Sequence, residues 1–167
     1  MAFKLSTNLS SDNSLLALAD AASQRIAAGL VYAGEVYPHE AFDYASKNPS
    51  IIVDVRTIPE WQFVGTPDLS NSPSRLITLS WKLYPSFILN PSFIGDFIAE
   101  TTITEDTPIF FICRSGGRSL DAAIAITAEG YNYCFNVIGG FEGEVNGNGH
   151  RGTGQGWKHD GLPWVQG

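Results

Sequence analysis

Apolar positions recur along this chain with two different periods, and the switches between them mark out its elements. Residues 14–28 place Leu15, Leu18, Ala19, Ala22 and Ile26 at helical spacing until Gly29 ends the pattern. This predicts a helical extension over residues 1–30, ahead of a main domain over residues 31–167. A second helix is predicted from Pro38, because proline suits a first helical turn and His39 to Ala45 continue with helical spacing. Asn48-Pro49 closes it. The run Ser50-Ile51-Ile52-Val53-Asp54-Val55 is short, β-branched and almost wholly apolar, as a strand covered on both faces should be. Residues 76–79, 109–112 and 134–138 repeat that pattern. Between the last two, Leu120, Ala123, Ile124, Thr127 and Ala128 trace a helix face that stops at Gly130. Strands alternating with helices predict an α/β fold, a parallel sheet flanked by helices in a single domain. Residues 139–167, rich in Gly, Asn and Trp, are expected to be irregular and to close over one end of the sheet.

Composition narrows the partners. The chain has 167 residues, 44% hydrophobic and 16% charged, which suits one globular domain with a substantial core. Ten basic against seventeen acidic residues leave a net charge of −7, which argues against binding nucleic acid or a polybasic membrane contact. The apolar stretch Leu15 to Ala19 meets Asp20 too soon to span a bilayer, and the N-terminus lacks the apolar core of a signal peptide. A cytoplasmic location is therefore expected. Two cysteines, Cys113 and Cys134, are too few for a disulfide scaffold or a cysteine-rich zinc site. His39, His150 and His159 lack ligand spacing, so no metal site is expected. Gly147-Asn148-Gly149-His150-Arg151-Gly152 matches a dinucleotide-binding pattern by letter, but with no strand before it or helix within it the segment reads as a loop. His150 or Arg151 could reach a crevice from there.

The chemistry concentrates in Ile112-Cys113-Arg114-Ser115-Gly116-Gly117-Arg118-Ser119, between a buried strand and a helix start. Ligand crevices of open α/β sheets lie at the C-terminal ends of strands, where this cysteine falls. Two glycines let the backbone curl so that N–H groups from Ser115 to Ser119 can point inward, and the helix N-terminus adds partial positive charge. Arg114 and Arg118 add two cations as anion binders. Such surroundings favour a nucleophilic thiolate that accepts an anionic substrate. The plainer alternative is a structural cysteine before a tight turn, but a change of direction alone calls for neither the two glycines nor the two cations. Asp54, Arg56 and Glu60 fit a positioning ion-pair group at a strand end. Cys134, beginning an apolar strand, reads as an inert buried thiol. Trp61, Trp81, Trp157 and Trp164 read as core and crevice-wall residues.

At the cysteine loop the sequence resembles the rhodanese (sulfurtransferase) family. The resemblance continues through Asp54-Val55-Arg56, Glu60-Trp61 and Gly65, then Val137-Ile138-Gly139-Gly140-Phe141, and Gly161-Leu162-Pro163-Trp164. It implies a rhodanese-like parallel sheet and a persulfide on Cys113. The sulfane sulfur would come from thiosulfate or a similar small anionic donor and pass to cyanide, a thiol or a partner protein, with no cofactor. Arg114 after the nucleophile resembles thiosulfate-using members, whereas mercaptopyruvate-using members usually place Gly there. Phosphatases of this fold put five residues between nucleophile and Arg, whereas Cys113 and Arg118 have four between them. A phosphatase or arsenate reductase is thus the weaker alternative, and a sulfur relay dedicated to one protein partner is the nearer one. The chain departs from the family after Gly65, where it reads Thr66-Pro67-Asp68-Leu69-Ser70. It also carries longer stretches at Ser80 to Phe87 and Asn146 to Trp157.

Overall fold

The structure is a computed structural model that describes residues 31–167, with Gln24, Ala28 and Gly29 before them. The helix expected over residues 14–28 otherwise lies outside the described residues. In chain order the elements are β1 (Gly34–Val36), α1 (Pro38–Lys47), β2 (Ile51–Asp54), α2 (Ile58–Val64), β3 (Thr66–Pro67) and β4 (Arg75–Thr78). They continue with β5 (Lys82–Leu83), β6 (Ile88–Leu89), α3 (Phe93–Glu100), β7 (Ile109–Ile112), α4 (Gly117–Ala128), β8 (Cys134–Val137) and β9 (Trp164–Val165). Five strands form one sheet in the order β1-β8-β7-β2-β4, every pair parallel.

Period-2 alternation sorts the strands' side chains between two cores. Ile52, Phe110, Ile112, Phe135 and Val137 face one side, where Ala41 and Ala45 of α1, Phe141 and Trp157 cover them. Ile51, Val53, Ile109, Phe111 and Cys134 face the other, under Phe93 and Phe97 of α3 and Ala122, Ala123 and Ile126 of α4. Burial on both faces is why these strands read as unbroken apolar runs.

Helix α1 begins where Pro38 predicts, and the Glu40 carboxylate accepts the Tyr37 N–H at 2.7 Å. Helix α4 ends before Gly130, but its buried face differs from the expected one. Ser119, Ala122, Ala123 and Ile126 face the sheet, while Leu120 and Ile124 flank the contact and Ala128 is exposed. Small residues let the helix axis approach the sheet closely, so the bulkier ones take the sides. Residues 139–167 are irregular except for β9, which pairs antiparallel with β3.

The chain leaves β2 towards β4 at one edge and leaves β7 towards β8 on the opposite side. The C-terminal ends of these two neighbouring strands are therefore a topological switch point, where connections diverge and leave a crevice. Asp54 pairs with Ile112 in register, and the Val55 N–H donates to the Ile112 carbonyl at 2.9 Å. Asp54-Val55-Arg56 and the cysteine loop thus emerge side by side.

Candidate active site at the cysteine loop

Cys113 follows the last residue of β7 and is almost fully buried. The Gly116 N–H donates to its sulfur at 3.1 Å and the Ser119 hydroxyl approaches it at 3.2 Å. The turn is possible because Gly116, at the N-cap of α4, has φ +118, a left-handed conformation that favours glycine. Ser115 is half-buried in the turn and Gly117 opens the helix. Of the expected cradle, Gly116 supplies the N–H on the sulfur, and Ser119 takes part through its hydroxyl.

The loop is held from outside by the C-terminal segment. The Phe141 N–H donates to the Cys113 carbonyl at 2.8 Å, and the Glu142 and Gly143 N–H groups donate to the Arg114 carbonyl at 3.0 and 3.1 Å. With these carbonyls turned outward and satisfied, the loop's concave side is left to donors.

The two cations expected beside the cysteine have different fates. Arg118 meets Glu60 through two parallel bonds of 2.8 Å, so its charge is compensated. Arg114 is exposed, with no ion pair among the described residues. Glu60 consequently does not join Asp54 and Arg56 as expected. It accepts the Thr57 N–H at 2.9 Å at the start of α2 and bridges across to Arg118. Burial alone would raise the Glu60 pKa, but bonds from Arg118 and Thr57 outweigh it and lower the value to about 2. Asp54 and Arg56 form a separate, fully buried pair at 2.6 Å. Arg56 also donates to the Gly65 carbonyl at 2.6 Å and lies 4.1 Å over the Phe141 ring, tying the end of β2 to the clamp segment.

Asn136 has a part that the sequence reading missed. It is a buried polar residue within the apolar strand β8, and the Ser119 hydroxyl lies 2.6 Å from its side-chain oxygen. A polar residue inside such a strand was the available signal. Cys134 sits opposite Ile109, roughly 13 Å of strand away from the Cys113 level at about 3.3 Å per residue. Burial pushes its thiol up to about 12.

Beside the loop opens a space of about 320 Å³, lined by Val64, Tyr84, Phe87, Arg114, Glu142 and Arg151 among others. Tyr84 and Phe87 come from the β5–β6 hairpin, within the longer stretch noted in the sequence. None of the four tryptophans lines it. Trp157 is core, Trp81 packs edge-on against Phe93, and Trp61 lines a second hollow with Thr66 and Val165. Residues 66–70, where the chain departs from the family, include strand β3.

A family profile described as Rhodanese-like domain matches residues 38–145. This chain belongs to that family. The rhodanese-like domain is 38% identical to the protein in the crystal structure of Rv0390 from M. tuberculosis, with a TM-score of 0.71. The match covers 81% of this chain and 99% of that one. It is 40% identical over 126 residues to an uncharacterized protein of Rickettsia conorii, covering 75% of this chain and 91% of the relative. A thiosulfate sulfurtransferase GlpE of Actinobacillus succinogenes is 24% identical over 129 residues, covering 77% of this chain and 87% of that protein. No helix among the described residues is long and apolar enough to cross a membrane.

Proposed function

We propose that this rhodanese-like domain is a sulfurtransferase that moves sulfane sulfur from thiosulfate, through a persulfide on Cys113, to a thiophilic acceptor. The Cys113 thiolate attacks the outer sulfur of thiosulfate, and the S–S bond breaks with its electron pair leaving on sulfite. The acceptor then attacks the outer persulfide sulfur, and the Cys113 thiolate departs with the electron pair of the second S–S bond. The Gly116 N–H is a fixed donor for the sulfur, the Ser119 hydroxyl can turn its hydrogen to it, and Arg114 attracts the anionic donor. One covalent intermediate shared by two half-reactions gives ping-pong kinetics.

The observation that carries this reading over the phosphatase alternative is the direction of Arg118. In a loop with four residues between Cys113 and Arg118, its guanidinium is spent on Glu60, and the donors on the sulfur, the Gly116 N–H and the Ser119 hydroxyl, are uncharged. A tetrahedral phosphate would need that guanidinium facing inward.

Intact-mass measurement tests the reading. The reduced protein should gain one sulfur atom from thiosulfate and lose it to cyanide, Cys113→Ser should gain none, and Cys134→Ala should behave as the parent does. A folded protein that gains no sulfur from thiosulfate overturns the proposal, and sulfur retained on Cys113→Ser overturns the assignment of the nucleophile.

A further inference from the structure

The space beside the cysteine loop is amphipathic. Val64, Tyr84 and Phe87 give it carbon walls, while Arg114 and Arg151 bring two guanidinium groups. Neither arginine has an ion pair among the described residues, although the chain carries seven more acidic than basic residues. Glu142 lines the same space and offsets one of the two arginines, while Glu60 is already matched by Arg118. The free balance in the crevice is therefore positive, in a protein that is negative overall.

Arg151 is held in place by the segment that carries it. Its Nη1 donates to the Gly143 carbonyl at 2.7 Å, and the next residue's N–H donates to the Glu142 carbonyl at 2.6 Å. The preceding turn is organised by Asn146, whose side-chain oxygen accepts the N–H groups of Asn148 and His150, both at 2.9 Å. A guanidinium fixed before a ligand arrives loses little freedom on binding it.

The walls indicate which ligand. Thiosulfate can use the arginines, but it has no carbon surface to set against Tyr84, Phe87 and Val64, so those walls add nothing to its binding. A carbon skeleton bearing a carboxylate suits both the walls and the arginines, and pockets of this size commonly take organic ligands. We propose that Arg151, acting with Arg114, selects as sulfur acceptors organic thiols that carry a carboxylate group. This rests on the sulfurtransferase reading. In the acceptor step the thiolate attacks the outer persulfide sulfur, a new S–S bond forms, the Cys113–sulfur bond breaks, and the Cys113 thiolate leaves with that electron pair. No outside oxidant or reductant is needed, and the proton of a neutral thiol goes to solvent.

The test uses the full chain loaded with thiosulfate and follows discharge of the persulfide by mass in single turnovers. Mercaptosuccinate is compared with thioglycerol, a neutral thiol of similar size. The parent protein should discharge faster to mercaptosuccinate. Arg151→Gln should lower the ratio of the two rate constants about tenfold, the loss expected for one charge-assisted hydrogen bond. Arg151→Glu should lower it further, and Arg151→Lys should restore part of it, a pattern of charge that a merely structural role would not produce. Arg114→Gln should lower the ratio as well. A ratio that stays the same in both Arg151→Gln and Arg151→Glu, with the persulfide still formed, overturns this inference alone. Failure of the parent to load sulfur overturns the sulfurtransferase reading beneath it.

Discussion

Glu60 shows how much one side chain can hold. Its carboxylate accepts from Thr57 at the start of α2 and from both terminal nitrogens of Arg118, 58 residues further on. Its pKa in the fold is about 2, below the ordinary 4.5. A depressed carboxylate stabilises the fold above its unfolded pKa, and the stabilisation is lost as pH falls from 4.5 towards 2. With both side chains mostly buried, the contribution is on the order of 2–3 kcal/mol. Urea unfolding from pH 2 to 7 should show this acid limb in the parent, and Glu60→Gln should lower stability at pH 7 and flatten the limb. Parallel profiles would mean the pair holds nothing. The sequence placed Glu60 with Arg56, its neighbour in the chain. Charges alone do not reveal that Asp54 pairs with Arg56 locally and leaves Glu60 to reach across the crevice.

At the scale of elements, two glycines with positive φ carry different demands. A Cβ on Gly116 would find nothing nearer than 3.8 Å, so Gly116→Ala costs only the left-handed backbone, about 1–2 kcal/mol. A Cβ on Gly140 would run into the Cys113 carbonyl and stand 2.7 Å from the Arg114 carbonyl, so the loop or the clamp must move. Gly140→Ala should cost at least about 3 kcal/mol and slow persulfide formation, as measured by unfolding and by mass. If Gly116→Ala proved the more damaging, the clamp would not be what shapes the loop.

The elements that were legible share one property: both of their faces, or one clear stripe, are buried. Strands β2, β7 and β8 are covered on both sides and read as apolar runs, and α1 announces itself with Pro38. Helix α2 was missed because it buries no residue outright and turns Ile58 and Phe63 to solvent. Helix α3 was missed because Gly95 interrupts it and Ile98 is exposed, which hides the i, i+4 pair Phe93 and Phe97. Strand β1 has three residues and a half-buried Glu35 in its middle, too little for a period to show. The cysteine loop is legible because its residues are contiguous, and Arg151 lines the space that its loop was expected to reach; Asn136 is not legible as a partner because the fold brings it there from elsewhere in the chain.

For the whole molecule, the family match ends at residue 145 but the folded unit does not. Trp157 is fully buried, donates its indole N–H to the Pro163 carbonyl at 2.7 Å and packs edge-on against Phe42 of α1. Its N–H and that of Lys158 close back onto the carbonyls of Gly140 and Phe141, the same stretch that clamps the cysteine loop. One sheet face therefore depends on residues beyond the match. Trp157→Ala should cost about 3–5 kcal/mol, and a chain ended at residue 145 should lose its cooperative thermal transition. A sharp transition retained in the shortened chain would show that the final segment is an appendage.

The Ser119 hydroxyl sits between the Cys113 sulfur and the Asn136 oxygen, and it has a single hydrogen to give. When the sulfur bears charge, the hydrogen can turn towards it; when the sulfur is neutral, the same hydrogen can swing to Asn136. Either way the enclosed groups stay solvated by protein, and the adjustment is a bond rotation rather than a rearrangement of the loop. The nest around the nucleophile can thus remain stiff while the charge inside it comes and goes.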